Sequence, residues 1–193
     1  LGALIFSGIK MRHFFILGLI FLICFIAGWQ FWLKDYQKQR ILSFLNPAID
    51  EKGVSWSVNQ SKIAIGAGGF WGKGIGKGTQ TQYGFLTEPK TDFTFAAIAE
   101  ETGFLGIFLM NAALFFLFWR LLTLIFQAQS NFLRLFASGF AFLILSQSFI
   151  NMGMCLGLLP VIGIPLPFVN YSGSQLLSFY MGLGILMGLK SID

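Results

Sequence analysis

The side chains able to do chemistry crowd into one stretch of this sequence. Positions 34–102 carry eight basic and seven acidic residues, against thirteen and eight in the whole chain. The flanking stretches are almost purely apolar, so polar chemistry belongs to this segment. Asp92 closes the run Leu86-Thr87-Glu88-Pro89-Lys90-Thr91 and precedes a helical pattern. A carboxylate at a helix start is stabilised as an anion by the helix N-terminus. A carboxylate at a membrane surface can also take a proton from a reacting hydroxyl. Asp92 fits both roles. On one continuous helix, Glu100 falls about 80° from Asp92 and Glu101 about 180°. No glycosidase-like carboxylate pair follows from that spacing.

A second cluster lies upstream. Seven glycines fall between Gly66 and Gly78, interleaved with Lys73 and Lys77. A phosphate-binding P-loop needs Gly, four residues, then Gly-Lys-Ser/Thr. Ala67 and Gly74 break that pattern around Lys73, and Trp71 breaks it around Lys77. A dinucleotide fingerprint fails for want of a flanking βαβ unit. What remains is either a tight loop packed between helices or a cradle of backbone N–H groups and ammonium groups for a diphosphate.

These clusters need elements to hold them, and composition says which kind. The 193 residues are 55% hydrophobic and 11% charged, with mean hydropathy +0.73. Soluble domains carry about a quarter charged residues. Disordered chains, basic nucleic-acid binders and disulfide-stapled secreted domains are excluded. The expectation is an all-α membrane protein, a polytopic helix bundle. About four transmembrane helices are expected, at 14–33, 103–126, 135–159 and 172–189, where a crossing takes ~20 residues. Segment 34–102 is expected to be a large extracellular loop with short interfacial helices. One of these is amphipathic, Tyr36–Leu45, ended by Asn46-Pro47. Residues 160–168, with Pro160, Pro165 and Pro167, form a turn unusually apolar for a loop, expected to re-enter or to line a protein cavity because lipid cannot satisfy its backbone. Gln147 and Asn151, one helical turn apart, are expected to hydrogen-bond between helices.

Lys10, Arg12, Arg120, Arg134 and Lys190 fall on one face, which the positive-inside rule assigns to the cytoplasm with both chain ends. Cys24 and Cys155 lie in apolar runs and read as packing residues rather than a disulfide. With His13 as the only histidine, two cysteines offer no metal spacing. The chain starts at Leu1 with an apolar stretch too short to span, so a fragment of a longer protein is expected.

The motifs along the chain resemble those of the SEDS family, whose branches are RodA, FtsW and SpoVE. The resemblance covers Tyr36 to Leu189, the C-terminal half of the family pattern. It is carried by Arg40-Ile41 with Phe44-Leu45-Asn46-Pro47, Gln60-Ser61, Gly68-Gly69 with Gly72-Lys73-Gly74, and Gly78-Thr79-Gln80. Thr91-Asp92-Phe93, Glu100-Glu101 with Gly103-Phe104, Asn151-Met152-Gly153 and Gly163-Ile164-Pro165-Leu166-Pro167-Phe168 complete it. Phe44–Pro47 and the Gly-Lys-Gly…Gly-Thr-Gln pattern are closest to the RodA branch. Lys90 stands where the family has His before Thr-Asp.

The resemblance implies a peptidoglycan glycosyltransferase that polymerises lipid II on the outer face of the bacterial cytoplasmic membrane. It implies a class B penicillin-binding protein as partner, membrane lipids around the bundle, and no nucleic acid. It makes Asp92 the catalytic base. It implies substrate contacts from Lys73, Lys77, Lys90, Gln60, Glu88 and Glu101, and a divalent cation, Mg or Mn, at the leaving diphosphate. Without the missing N-terminal helices the fragment is expected to be inactive. A lipid-precursor flippase and a non-catalytic scaffold are the competing readings. A flippase calls for ionisable groups inside the spans, and only Arg120, near one end, is there.

Overall fold

The computed structural model describes residues 16, 18–20, 23, 35–46 and 53–192. Of the span expected at 14–33, only Ile16, Gly18, Leu19, Ile20 and Ile23 are described. They are helical and exposed. His13, Cys24, Lys10, Arg12 and Pro47 lie outside the described residues.

Six helices follow. Helix α1, Asp35–Leu45, turns a small polar side to the protein. Ser43 is buried and Ser55 Oγ donates to its carbonyl at 3.3 Å, while Leu42, Phe44 and Leu45 stay exposed. Apolar residues pointing away from the protein suit a helix lying on a membrane surface.

Helix α2, Val54–Gly68, emerges from a segment whose serines, amides and glycines give no helical period. Its buried positions explain it. Ser61, Ala64 and Gly68 form a stripe of small residues that lets α2 approach a partner closely. The partner is helix α4, Thr94–Gln127, which answers with Ala96 and Ala99. A Cβ on Gly68 would lie 1.9 Å from the Ala99 carbonyl oxygen. The four-residue helix α3, Thr79–Gln82, sits between them.

Helix α4 begins nine residues ahead of the expected position 103, because Thr94–Thr102 already packs on α2. It does not run straight. Gly103 has φ 68° and ψ −163°, which breaks the helix. The stretch from Phe104 to Gln127 is about 36 Å long at 1.5 Å per residue. That suffices for the ~30 Å hydrocarbon core, so the portion before Gly103 belongs with the polar segment 34–102.

A break frees backbone groups on both sides. The glycine-rich loop satisfies them. Lys73 N donates to Glu100 O and Gly74 N to Glu101 O, both at 2.9 Å. On the far side, Phe104 N donates to Gly69 O at 2.9 Å and Leu105 N to Phe70 O at 3.2 Å. Gly72 and Gly103 touch at this junction, at φ 78° and 68°. A Cβ on Gly72 would lie 2.2 Å from Glu101 O, and one on Gly103 2.3 Å from Gly72 N.

Helix α5, Asn131–Cys155, returns along α4. It begins four residues before the expected 135, because Arg134 does not stop it: its Nη2 donates to Asn131 Oδ1 at 2.6 Å. It ends at Cys155 rather than 159, in a closed C-terminal turn. Leu158 N donates to Gly153 O and Gly157 N to Met154 O, with Gly157 at φ 70°. Helix α6, Gly173–Ile192, packs on α5 through Phe179 and Leu186. Gln175 Nε2 donates to Gln147 Oε1 at 3.0 Å, the interhelical bond expected of Gln147. Among the described residues, α4 and α5 are long and apolar enough to cross a bilayer.

Two cores result. One, between α4, α5 and α6, gathers Leu121, Ile125, Leu133 and Ile144. The other gathers Ala64, Leu86, Phe93, Phe95, Met154 and Val161 beneath the polar segment.

Substituting Gly72 or Gly103 by Ala should lower the thermal unfolding midpoint of the full-length parent protein in detergent. The left-handed backbone alone costs about 1–2 kcal/mol, and the blocked contact adds to it. Gly66→Ala, inside α2 with nothing within 4 Å of the added carbon, should be neutral or stabilising by up to about 1 kcal/mol.

Candidate active site

Asp92 lies just before α4, which starts at Thr94 with Phe93 at its N-cap. It is therefore not the helix-start residue, and the angles reckoned from a continuous helix do not apply. Its backbone is clamped. Asn151, fully buried on α5, donates through Nδ2 to Asp92 O and to Ile164 O, both at 2.9 Å. Asn151 thus joins the Asp92 turn to the proline-rich loop rather than bonding to a helix. Cys155 Sγ also reaches Asp92 O, at 3.8 Å. It is a free, buried packing residue. Ser61 Oγ donates to the Cys155 carbonyl at 2.8 Å, tying α2 to the same point.

The proline-rich loop completes the clamp. Tyr171 N donates to Lys90 O at 2.9 Å. Leu166 and Pro167 are fully buried, so the loop packs on protein as its apolar sequence requires. Gly163, at φ 79°, passes so close that a Cβ there would lie 3.3 Å from Asp92 Oδ2. Arg40 of α1 donates to Ile162 O at 3.3 Å. Two non-glycine residues take left-handed backbone in these facing loops, Glu88 at φ 46° and Phe168 at φ 64°. Such strain persists only where its surroundings enforce it. Phe168 is held by ring contacts to Phe179 and Tyr180. Glu88 O accepts from Thr91 N and Phe93 N, both at 3.2 Å.

All these bonds go to backbone. The Asp92 carboxylate itself accepts no hydrogen bond from the described residues, and it is half-buried. Burial pushes its pKa above the usual 3.8, the Glu88 carboxylate pushes it further, and Arg40 pulls it back.

The glycine-rich loop gathers on a different acid. Glu100 is fully buried. It accepts from Lys73 Nζ at 3.1 Å, Gln80 N at 2.9 Å, Thr81 N at 3.0 Å and Thr81 Oγ1 at 2.9 Å. Thr79 Oγ1 donates to the same carboxylate at 3.1 Å and accepts from Lys73 at 2.6 Å. Burial opposes its charge, but these donors prevail and hold its pKa at about 2.

The expected site residues thus divide. Glu88 and Lys90 share the Asp92 turn, with both side chains exposed. Lys73 is occupied by Glu100, and Glu101 is half-buried with its carbonyl closing the helix break. Lys77 is exposed and lies beside Gly74. Gln60 is half-buried on α2. Sequence reasoning passed over Arg40, Glu100 and Gly163. All three stood in the family motifs, Glu100 in the pair Glu100-Glu101.

The pattern of the family described as cell cycle protein, covering FtsW, RodA and SpoVE, matches residues 1–192. The chain is 44% identical over 163 residues to the peptidoglycan glycosyltransferase MrdB of Escherichia coli K12, covering 84% of this chain and 44% of that protein. It is 38% identical over 184 residues to the stage V sporulation protein E of Bacillus subtilis, covering 95% and 50%. A solved chain from a peptidoglycan synthase complex, described as coordinating polymerization and crosslinking, superposes with TM-score 0.70 at 31% identity. That match covers 96% of this chain and 50% of the other. The chain spans about half the length of the curated relatives it matches.

A carboxyl held at about 2 in the fold, against 4.5 ordinarily, adds stability that is complete above pH 4.5 and lost as pH falls toward 2. Thermal unfolding midpoints of the full-length protein should fall across that window, and Glu100→Gln should flatten this dependence. Glu100→Ala, which strands two backbone donors, should cost about 3 kcal/mol at neutral pH.

Proposed function

The chain belongs to the FtsW/RodA/SpoVE family of cell cycle proteins, and on that footing we propose that it is the Asp92-bearing half of a peptidoglycan glycosyltransferase. In this reading the full-length protein polymerises lipid II on the outer face of the cytoplasmic membrane during cell-wall elongation. The relatives' names support the reaction. One observation carries the assignment to Asp92: the described residues fix it through backbone bonds alone and give its carboxylate no hydrogen bond.

The chemistry follows from that arrangement. The acceptor hydroxyl gives its proton to an Asp92 Oδ atom. Its oxygen then bonds to the donor sugar carbon as the bond to the diphosphate breaks. Lys77, Lys90 and Arg40 are the cations proposed to stabilise the leaving diphosphate. Lys73, held by Glu100, orders the loop instead, with Glu101 beside it. Gln60 and Glu88 are proposed to touch the substrate. Among the described residues no group of three His, Cys, Asp or Glu converges. The protein side chains described do not form a divalent-cation cage, and no step is routed through one.

The helical spans support a multi-pass protein of the cytoplasmic membrane, with both ends of this chain on the cytoplasmic side. Likeness to a synthase-complex chain supports a class B penicillin-binding protein as partner. The elongation role rests on the RodA-like motifs.

The test is lipid II polymerisation by the full-length parent protein with its cognate penicillin-binding protein. Asp92→Asn should lower glycan-strand formation by at least about 100-fold. Equal rates would overturn the assignment. Because the base works deprotonated and its pKa is raised, the rate should fall on the acid side. Glu88→Gln removes a repelling charge and should move that limb to lower pH. Arg40→Gln removes an attracting one and should move it to higher pH, as read from rate profiles of each variant.

A further inference from the structure

The loop that closes the Gly103 break has an outer side the reaction does not use. Trp71 is 76% exposed and Ile75 85%, with Phe70 beside them at 55%. Residues this large and apolar are normally covered. Phe70 packs edge-on against Trp71, with ring centroids 5.2 Å apart. It also stacks on Phe104 at 5.8 Å, and Phe104 stacks on Phe108 at 6.4 Å. Phe104 and Phe108 are the first exposed aromatics of the α4 span, each 58% exposed. The aromatic surface of the loop therefore runs without interruption onto the outer side of a membrane-crossing helix.

We propose that residues 70–75 form an interfacial wedge seated in the outer leaflet. Trp71, Phe70 and Ile75 enter the boundary between headgroups and acyl chains.

Three observations favour lipid as the occupant. The wedge is bonded to the first turn of the span, through Phe104 N and Leu105 N, which fixes its depth at the membrane boundary. Its exposed surface continues that of the span, which is strongly apolar and little buried by the described residues. Its composition, tryptophan and phenylalanine next to lysine, is that of membrane-interface belts. The Glu100 knot keeps the wedge rigid from behind. The outer segment then floats at a set height, independent of which reaction Asp92 performs.

The test uses the full-length parent protein with a photoreactive phenylalanine analogue at position 71 or 75. It is reconstituted in vesicles of phosphatidylethanolamine and phosphatidylglycerol, illuminated, and its adducts are identified by mass spectrometry. Both positions tolerate an aromatic group because both side chains are exposed. The proposal expects phospholipid adducts at both positions. Adducts to another segment of the protein would show that protein covers the patch and would overturn it. Absence of lipid adducts at both positions would place the wedge in water and overturn it equally.

Discussion

The polar segment depends on how a broken, apolar helix is closed. An α-helix interrupted at the bilayer boundary exposes carbonyls above the break and N–H groups below it, and lipid satisfies neither. Here one loop serves both sets, with Lys73 N and Gly74 N above and the carbonyls of Gly69 and Phe70 below. Close approach demands glycine at Gly68, Gly72 and Gly103, where any side chain would strike backbone. The glycine-rich sequence is thus explained by packing against Gly103. It needs no phosphate.

Once the break is closed, the rest of the polar segment has somewhere to stand. The small-residue stripe of α2 lies on Thr94–Thr102, and Ser61 carries the attachment across to α5. Asn151 then joins the Asp92 turn to the proline-rich loop. Burying its amide without partners would cost roughly 1–3 kcal/mol per unmet group, so the two carbonyls it binds are held firmly in place. Both acids near the helix start are consequences of this frame. Glu100 is surrounded by donors and stays ionised. Asp92 receives no donor from the described residues, and burial first and the Glu88 charge second make it less acidic. Two carboxylates eight residues apart acquire opposite properties from their surroundings alone.

Much of this was legible in the sequence. Long uncharged runs marked α4 and α5, because a bilayer imposes a length and a composition. Arg134 misled about the start of α5, since an arginine at a helix end pairs locally without stopping the helix. The end of that helix was written in Gly157, whose left-handed backbone closes the turn. Helix α2 was not legible. Its contacts are made by Ser61, Ala64 and Gly68, residues that carry no hydrophobic period, and its stability comes from α4. Glu100 was equally hidden, because its partners Thr79, Gln80, Thr81 and Lys73 come together only after the glycine loop has folded back. Asp92 stood out through the family motif, while its geometry required the loop from Gly157 to Tyr171.

The closed break makes a claim that amide hydrogen exchange can test on the reconstituted full-length protein. Peptides covering 69–76 and 100–106 would be followed by mass spectrometry. If the loop satisfies the break, the amides of Lys73, Gly74, Phe104 and Leu105 should exchange as slowly as those inside α4, although the first two lie in a loop. Exchange at these four positions as fast as in an open surface loop would contradict the account.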